Sequence, residues 1–165
     1  MHQEPSTLEP LARRCLAAGA LLMLVGVILG AFGAHILQER LTPQRLASFQ
    51  TGVHYHVLHA LGLLVLGVVA QLGGASVRLR WSARLMLAGI ALFSGSIYLM
   101  TAGAPRKLGM VAPVGGVSFM AAWALLAWHA LTRPSGTLSR PSGTLSRFAG
   151  EGRGEGPGEG TGEGS

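Results

Sequence analysis

The sequence of 165 residues contains no aspartate, one cysteine and few charged side chains, which make up only 12% of the chain. Soluble domains carry about 25% charged residues, so this deficit argues against a water-exposed surface over most of the chain. The single Cys15 permits no internal disulfide. No aspartate is available as a metal ligand or to orient a catalytic histidine, and no glutamate lies within residues 40–150 either.

Four stretches contain no charged residue and are long enough to cross a membrane. They comprise residues 15–38, 46–77, 85–105 and 108–132. A helix needs about 20 apolar residues to cross about 30 Å of hydrocarbon, whereas a helix of a soluble bundle carries charge on its solvent face. We therefore predict an all-α fold, an integral membrane four-helix bundle in residues 15–132. The predicted spans are about 15–37, 53–73, 83–101 and 110–131.

The two ends of the chain differ from this apolar domain. Residues 1–14 form a polar N-terminal leader, and its Arg13-Arg14 pair before an apolar run is also found in secretory signals. The apolar region of a signal has about 7–15 residues, which is shorter than this one, so we expect an uncleaved first span. Residues 133–165 contain the repeat RPSGTLSRPSGTLSR followed by a glycine-rich segment. This composition predicts a disordered, low-complexity tail.

Positive charge lies in short loops beside the predicted spans, which argues against a nucleic-acid partner. Four spans place both termini on one side of the membrane. That side carries seven arginines, namely Arg13, Arg14, Arg78, Arg80, Arg84, Arg133 and Arg140. The other side carries Arg40, Arg45, Arg106 and Lys107. Because basic loops remain in the cytoplasm, we predict that both termini are cytoplasmic.

Polar side chains gather toward one leaflet of the predicted bundle. The end of the first span, the start of the second and the end of the third all lie toward the non-cytoplasmic side, because successive spans alternate in direction. The predicted polar cluster comprises His35, Tyr55, His56, His59, Ser94 and Tyr98. Within it, we expect His59 and Tyr98 to lie within reach of each other. A buried imidazole or phenol needs such a partner in an apolar environment.

Small residues form a further pattern. On an ideal helix the glycines of the first span fall within about 60° of one another and form a seam that another helix can approach closely. The fourth span begins with two more glycines. The predicted helix-packing glycines are Gly19, Gly26, Gly30, Gly33, Gly115 and Gly116. The sequence leaves open whether the seam contacts this chain or another.

The histidines allow several interpretations. His56 and His59 share one helix face and could bind Zn, Cu or Fe, with His35 as a third ligand or as the opposite axial ligand of a haem. Proton handling by a small transporter is an alternative, because histidine titrates near neutral pH. We favour hydrogen bonding between helices, in which His56 or His59 donates to Tyr98, to Ser94 or to a backbone carbonyl freed by Pro113 and the glycines. We therefore predict no metal, no cofactor and no catalytic residue, and an enzymatic activity is disfavoured.

Four segments resemble the signature segments of a known family. They are GAFGAHIL (30–37), YHVLHALGLL (55–64), LFSGSIYLM (92–100) and LGMVAPVGGVSFMAAW (108–123). The chain is similar in these segments, and in their order, to the YgdD-type small four-pass inner-membrane proteins. The resemblance runs from about Gly19 to Leu131 and stops before the tail. It implies a four-helix membrane fold and a bacterial inner (plasma) membrane location, but no reaction, because the function of the family is unknown.

The predicted function combines these points. We expect an accessory or structural protein embedded in the lipid bilayer. Its polar, glycine-rich half would bind a membrane protein partner, a lipid or a second copy of the chain.

Overall fold

The structure is a computed structural model that describes residues 8–133, and all regular elements in that range are helices. The five α-helices are α1 (Pro10–His35), α2 (Pro43–Gly73), α3 (Val77–Gly89), α4 (Gly95–Thr101) and α5 (Ala112–Thr132). A π-helical turn, Ile90–Ser94, joins α3 to α4. Two short 3-10 helices, Leu37–Glu39 and Arg106–Met110, lie at the other connections.

Four helical segments are long and apolar enough to cross a membrane. They are span 1 (Pro10–Glu39), span 2 (Pro43–Gly73), span 3 (Val77–Thr101) and span 4 (Arg106–Thr132). The predicted all-α, four-span fold is therefore confirmed. The predicted tail lies outside the described residues apart from Arg133, and so do the first seven residues of the leader.

The helices begin earlier than the charge-free stretches. Pro10 and Pro43 occupy the first turns of α1 and α2, where a proline fixes the backbone angle and its missing N–H is not needed. The Glu9 carboxylate caps α1 by accepting a hydrogen bond from the Ala12 N–H at 2.9 Å. Residues 10–14 of the predicted leader are therefore helical and continuous with span 1. Charge marks where the hydrocarbon ends, whereas caps and prolines mark where a helix begins.

The spans pack mainly in chain order. Span 1 packs along span 2, span 2 along span 3, and span 3 along span 4. Leu63 and Leu66 of span 2 and Leu79 and Met86 of span 3 are fully buried between them. Phe119 from span 4 completes the same core cluster. The two central spans therefore supply most of the core, and spans 1 and 4 lie at its edges.

The glycine seam of span 1 faces span 2 of the same chain. A Cβ at Gly26 would lie 2.7 Å from Cγ2 of Val57, and a Cβ at Gly33 would lie 2.8 Å from the Phe49 ring. Gly19 makes a similarly close approach, and Gly30 a looser one, to other residues of span 2. The seam therefore has a partner within the chain, which the sequence alone left open.

Spans 3 and 4 interlock through two glycine–phenylalanine contacts. A Cβ at Gly89 would lie 2.5 Å from the Phe119 ring, and a Cβ at Gly115 would lie 2.5 Å from the backbone nitrogen of Phe93. The packing role predicted for Gly116 does not hold, because a Cβ there would have nothing within 4 Å. Consecutive residues point about 100° apart on a helix, so only one of the two glycines can face span 3.

Candidate functional site

His56 connects three spans through its two ring nitrogens. The side chain is buried in span 2. Its Nε2 lies 2.9 Å from the carbonyl oxygen of Leu22 in span 1. Its Nδ1 lies 3.3 Å from the hydroxyl oxygen of Tyr98 in span 3. One imidazole ring therefore joins spans 1, 2 and 3 at the same level of the bundle.

The partners of His56 determine the tautomer of its neutral ring. A carbonyl oxygen can only accept a hydrogen bond, so Nε2 carries the proton and donates it to Leu22. Nδ1 then presents its lone pair, and the Tyr98 hydroxyl donates to it. Both ring nitrogens are thus used in contacts between helices.

Two serines add further bonds between spans. The buried Ser94 hydroxyl donates to the Gly52 carbonyl of span 2 at 2.8 Å. The buried Ser82 hydroxyl donates to the Ala122 carbonyl of span 4, also at 2.8 Å. Each hydroxyl therefore satisfies its donor across a helix interface, as an apolar environment requires.

His59 lies in an aromatic cluster on the same stripe of span 2. Its Nδ1 donates to the Tyr55 carbonyl oxygen at 2.7 Å, within the same helix. The ring stacks on Phe119 of span 4, with centroids 3.4 Å apart and planes 14° apart. Tyr55 in turn packs against Phe93 of span 3, with centroids 4.7 Å apart. His59 thus contributes to the interface with span 4 mainly through the face of its ring.

Of the two histidines considered as partners of Tyr98, His56 forms the hydrogen bond, and the preferred pairing with His59 was incorrect. The structure pairs Tyr98 with His56, while His59 bonds within its own helix. His56 and His59 both lie on the buried stripe, but their directions differ by about 60° around the helix axis and their positions by about 4.5 Å along it, so they contact different neighbours. His56 faces spans 1 and 3, and His59 faces span 4.

Both histidines lie farther from the start of their helix than the predicted span boundaries suggest. Because α2 begins at Pro43, His56 lies about three and a half turns into the helix, at 3.6 residues per turn. The prediction placed the start of the span near residue 53, within about two turns of the histidines. The polar contacts are therefore internal to the bundle.

His35 does not belong to the polar cluster. It lies two residues after the buried Gly33, so its side chain points roughly 200° away from span 2, and it is exposed. The alternative ligand set of His35, His56 and His59 is therefore not assembled. Within residues 8–133, no three His, Cys or Glu side chains form a group that could hold a metal ion.

Four side chains outside the predicted set also join spans. Ser82, Phe119 and His129 are buried, and Phe93, which packs against Phe119 in the aromatic cluster, is partly buried. The His129 ring, through Nδ1, lies 3.1 Å from the hydroxyl of Ser76, which also caps α3. The spacing of Gly115, Phe119 and Ala122 places them on one helix face and could have predicted the interface with span 3. The neighbouring face through Gly116 also begins with a glycine, so the sequence did not distinguish the two faces.

The fold and these contacts define a small multi-pass membrane protein whose buried polar residues join its spans. The chain matches, over residues 29–116, the family described as "Protein of unknown function (DUF423)". It belongs to this family, and the resemblance inferred from its four segments is confirmed.

The relatives carry names of the same kind. The chain is 41% identical over 108 residues to the UPF0382 membrane protein YwdK of Bacillus subtilis, covering 66% of this chain and 88% of the relative. It is 42% identical over 100 residues to the UPF0382 inner membrane protein YgdD of Escherichia coli, covering 61% and 76%. The UPF0382 membrane protein SH2409 of Staphylococcus haemolyticus is 37% identical over 108 residues, covering 66% and 87%. No solved structure matches the chain.

Proposed function

We propose that this multi-pass membrane protein is a non-catalytic accessory or structural protein that binds another component of the membrane, either a protein or a lipid. The observation that carries the proposal is the use of the buried polar groups. His56 and Ser94 bond across interfaces between spans. Side chains arranged in this way select one packing of the helices and so provide a rigid framework.

The polar contacts favour this role over proton handling. The hydrogen-bonded chain runs from Tyr98 to His56 and ends at the Leu22 carbonyl oxygen. A carbonyl oxygen accepts a hydrogen bond but does not pass a proton on, so the chain does not continue as a relay. A hydrogen-bonded chain that ends at a backbone carbonyl of span 1 is typical of a packing contact between helices.

The outer faces of the edge spans offer the surface for a partner. Only 17% of the apolar stretch of span 1, and 17% of that of span 4, is buried within the chain, against 44% and 39% in spans 2 and 3. Leu24 and Ile28 of span 1 and Met120 of span 4 are among the exposed side chains. These faces meet either lipid or another membrane protein.

The proposal includes an orientation with both termini in the cytoplasm. Both odd-numbered spans begin at the same end of the protein, and Arg13, Arg14, Arg80 and Arg84 lie there. Basic residues next to spans are retained on the cytoplasmic side. The opposite end carries fewer basic residues beside its spans.

Photocrosslinking in native membranes tests the proposed function. We would place p-benzoylphenylalanine at Ile28 or Met120, which are exposed, and at the fully buried Leu66 as the matched control. A protein or lipid product should form at an exposed position and not at Leu66. The same component should also accompany the protein at fixed stoichiometry in polymer-extracted native discs.

Two results would overturn the proposal. One is proton-coupled uptake of a solute by vesicles that contain only this protein. The other is a stoichiometric metal ion or haem in the purified protein, which would move it to the cofactor-binding class.

A further inference from the structure

A cavity of about 420 Å³ opens between spans 1 and 3 at the end of the protein where both begin. Span 1 lines it with the first turns of α1, and span 3 lines it with one face of α3. The buried Leu63 of span 2 lies at its base. Its volume is within the range of about 300–1,000 Å³ found for small-molecule sites. None of the polar contacts of the candidate functional site involves this cavity.

The cavity is strongly cationic. Arg14, Arg80 and Arg84 line it, against a single carboxylate from Glu9. That carboxylate already caps α1 through the Ala12 N–H. Within residues 8–133, neither Arg14 nor Arg80 forms a hydrogen bond or ion pair through its side chain. Two guanidinium groups are therefore available to a ligand, and guanidinium binds phosphate in a bidentate manner.

The other part of the cavity is apolar and extends into the hydrocarbon layer. Ala18 lies one turn beyond Arg14 on α1, and Leu87 lies two turns beyond Arg80 on α3. At 1.5 Å per residue, these side chains lie about 6 Å and about 10 Å farther along the helix axes than the arginines. The cavity therefore has a cationic rim at the membrane boundary and apolar walls below it.

We propose that this cavity binds the phosphodiester headgroup of an anionic phospholipid, with the attached acyl chain lying along the apolar groove between spans 1 and 3. Arg14 and Arg80 contact the phosphate, and Ala18 and Leu87 contact the upper part of the chain. The surplus of positive charge selects anionic over zwitterionic lipids. Basic pockets between membrane helices on the cytoplasmic side suit such headgroups, which agrees with the proposed orientation.

This inference rests on the proposed function, because it chooses lipid as one component that the protein binds. The test uses full-length protein, delipidated in a neutral detergent and titrated by native mass spectrometry. The probes are phosphatidylglycerol, phosphatidylcholine with the same acyl chains, and glycerol phosphate, which has the headgroup chemistry without the chains. We expect one phosphatidylglycerol to bind at least about tenfold more tightly than phosphatidylcholine, in line with about 1 kcal/mol per basic residue near a membrane surface.

Two double variants with the same change in charge locate the binding. Arg14→Gln with Arg80→Gln removes the two unpaired arginines of the cavity, and should weaken phosphatidylglycerol binding about tenfold or more. Arg13→Gln with Arg78→Gln removes one arginine from each of the same two spans outside the cavity lining, and should weaken it less than about threefold. Ala18→Phe, which fills the cavity without changing charge, should also abolish the preference for phosphatidylglycerol, and it replaces the first variant if that one does not fold.

Several outcomes would overturn the lipid site. They are equal binding of the two lipids, equal loss in both double variants, and competition by glycerol phosphate at concentrations comparable to those of the lipid, which would identify a soluble phosphate ligand instead. The proposed function is tested separately, by the crosslinking experiment. If phosphatidylglycerol does not bind but Ile28 or Met120 still crosslinks to a stoichiometric protein partner, only the lipid site fails. If neither result is obtained, both proposals fail.

Discussion

Replacing His56 with leucine tests whether its imidazole joins three spans. The substitution keeps an apolar side chain of similar length but removes the bonds to Leu22 and Tyr98. Hydrogen bonds between membrane helices contribute on average about 0.6 kcal/mol and at most about 1.7 kcal/mol each. The Tyr98 hydroxyl also loses its His56 partner, which costs a further amount of about 1 kcal/mol. We expect His56→Leu to lower the free energy of unfolding by about 2–3 kcal/mol.

A double-mutant cycle separates this pair from its surroundings. Tyr98→Phe alone should cost about 1 kcal/mol, because it removes one bond and no bulk. The double variant, His56→Leu with Tyr98→Phe, has no phenol hydroxyl that could be left unpaired. Its loss of stability should therefore be smaller than the sum of the two single losses, by at least about 0.5 kcal/mol. The measurement is reversible unfolding in detergent, followed by tryptophan fluorescence.

Two controls make the result specific. His54→Leu changes an exposed histidine on the opposite side of the same helix and should change stability by less than about 0.5 kcal/mol. His59→Leu combined with Tyr98→Phe should be additive within about 0.5 kcal/mol, because His59 bonds to Tyr55 instead. Additivity for His56 and Tyr98, together with coupling between His59 and Tyr98, would refute the assignment of partners.

Three further predictions concern packing, orientation and the tail. Gly115→Ala should destabilise the fold by about 1–3 kcal/mol, because its Cβ would meet the Phe93 backbone. Gly116→Ala should not destabilise it, and unfolding of the two variants in detergent measures the difference. A phosphatase that works only outside the cytoplasm should be inactive when fused after Arg133 and active when fused after Lys107; the reverse pattern would invert the orientation. A chain ending at Arg133 should accumulate in the membrane like the full-length protein, and its loss on immunoblots would give the tail a role in folding.

The sequence predicted the spans and the packing face of span 1, but it did not identify the helix that this face contacts. Charge must stay out of about 20 residues of a membrane helix, so the spans are visible from charge alone. Helical periodicity then placed Gly26 and Gly33 on one face, and His56 and His59 on one stripe, and all four residues are buried. These features depend on one helix at a time, which is why local sequence could determine them.

The contacts of spans 3 and 4 depend on features that the helical periodicity of the sequence does not predict. The π-helical turn at Ile90–Ser94 inserts about one extra residue per turn and so changes the face that the end of span 3 presents to span 2. Gly115 and Gly116 are adjacent, so span 4 has two neighbouring faces that each begin with a glycine, and the sequence did not show which face contacts span 3. The choice of His59 over His56 as the partner of Tyr98 failed for the same reason, since it depends on the relative rotation of two helices.

The paired contacts of Gly89 with Phe119 and of Gly115 with Phe93 have a consequence for how this interface can evolve. Gly89 provides the space that the Phe119 ring occupies, so a methyl group gained at Gly89 must be matched by volume lost at Phe119. Gly115 instead accommodates the Phe93 backbone, so a smaller side chain at position 93 would not make room for a larger residue at position 115. Positions 89 and 119 should therefore covary between family members, whereas position 115 should stay glycine whichever residue occupies position 93.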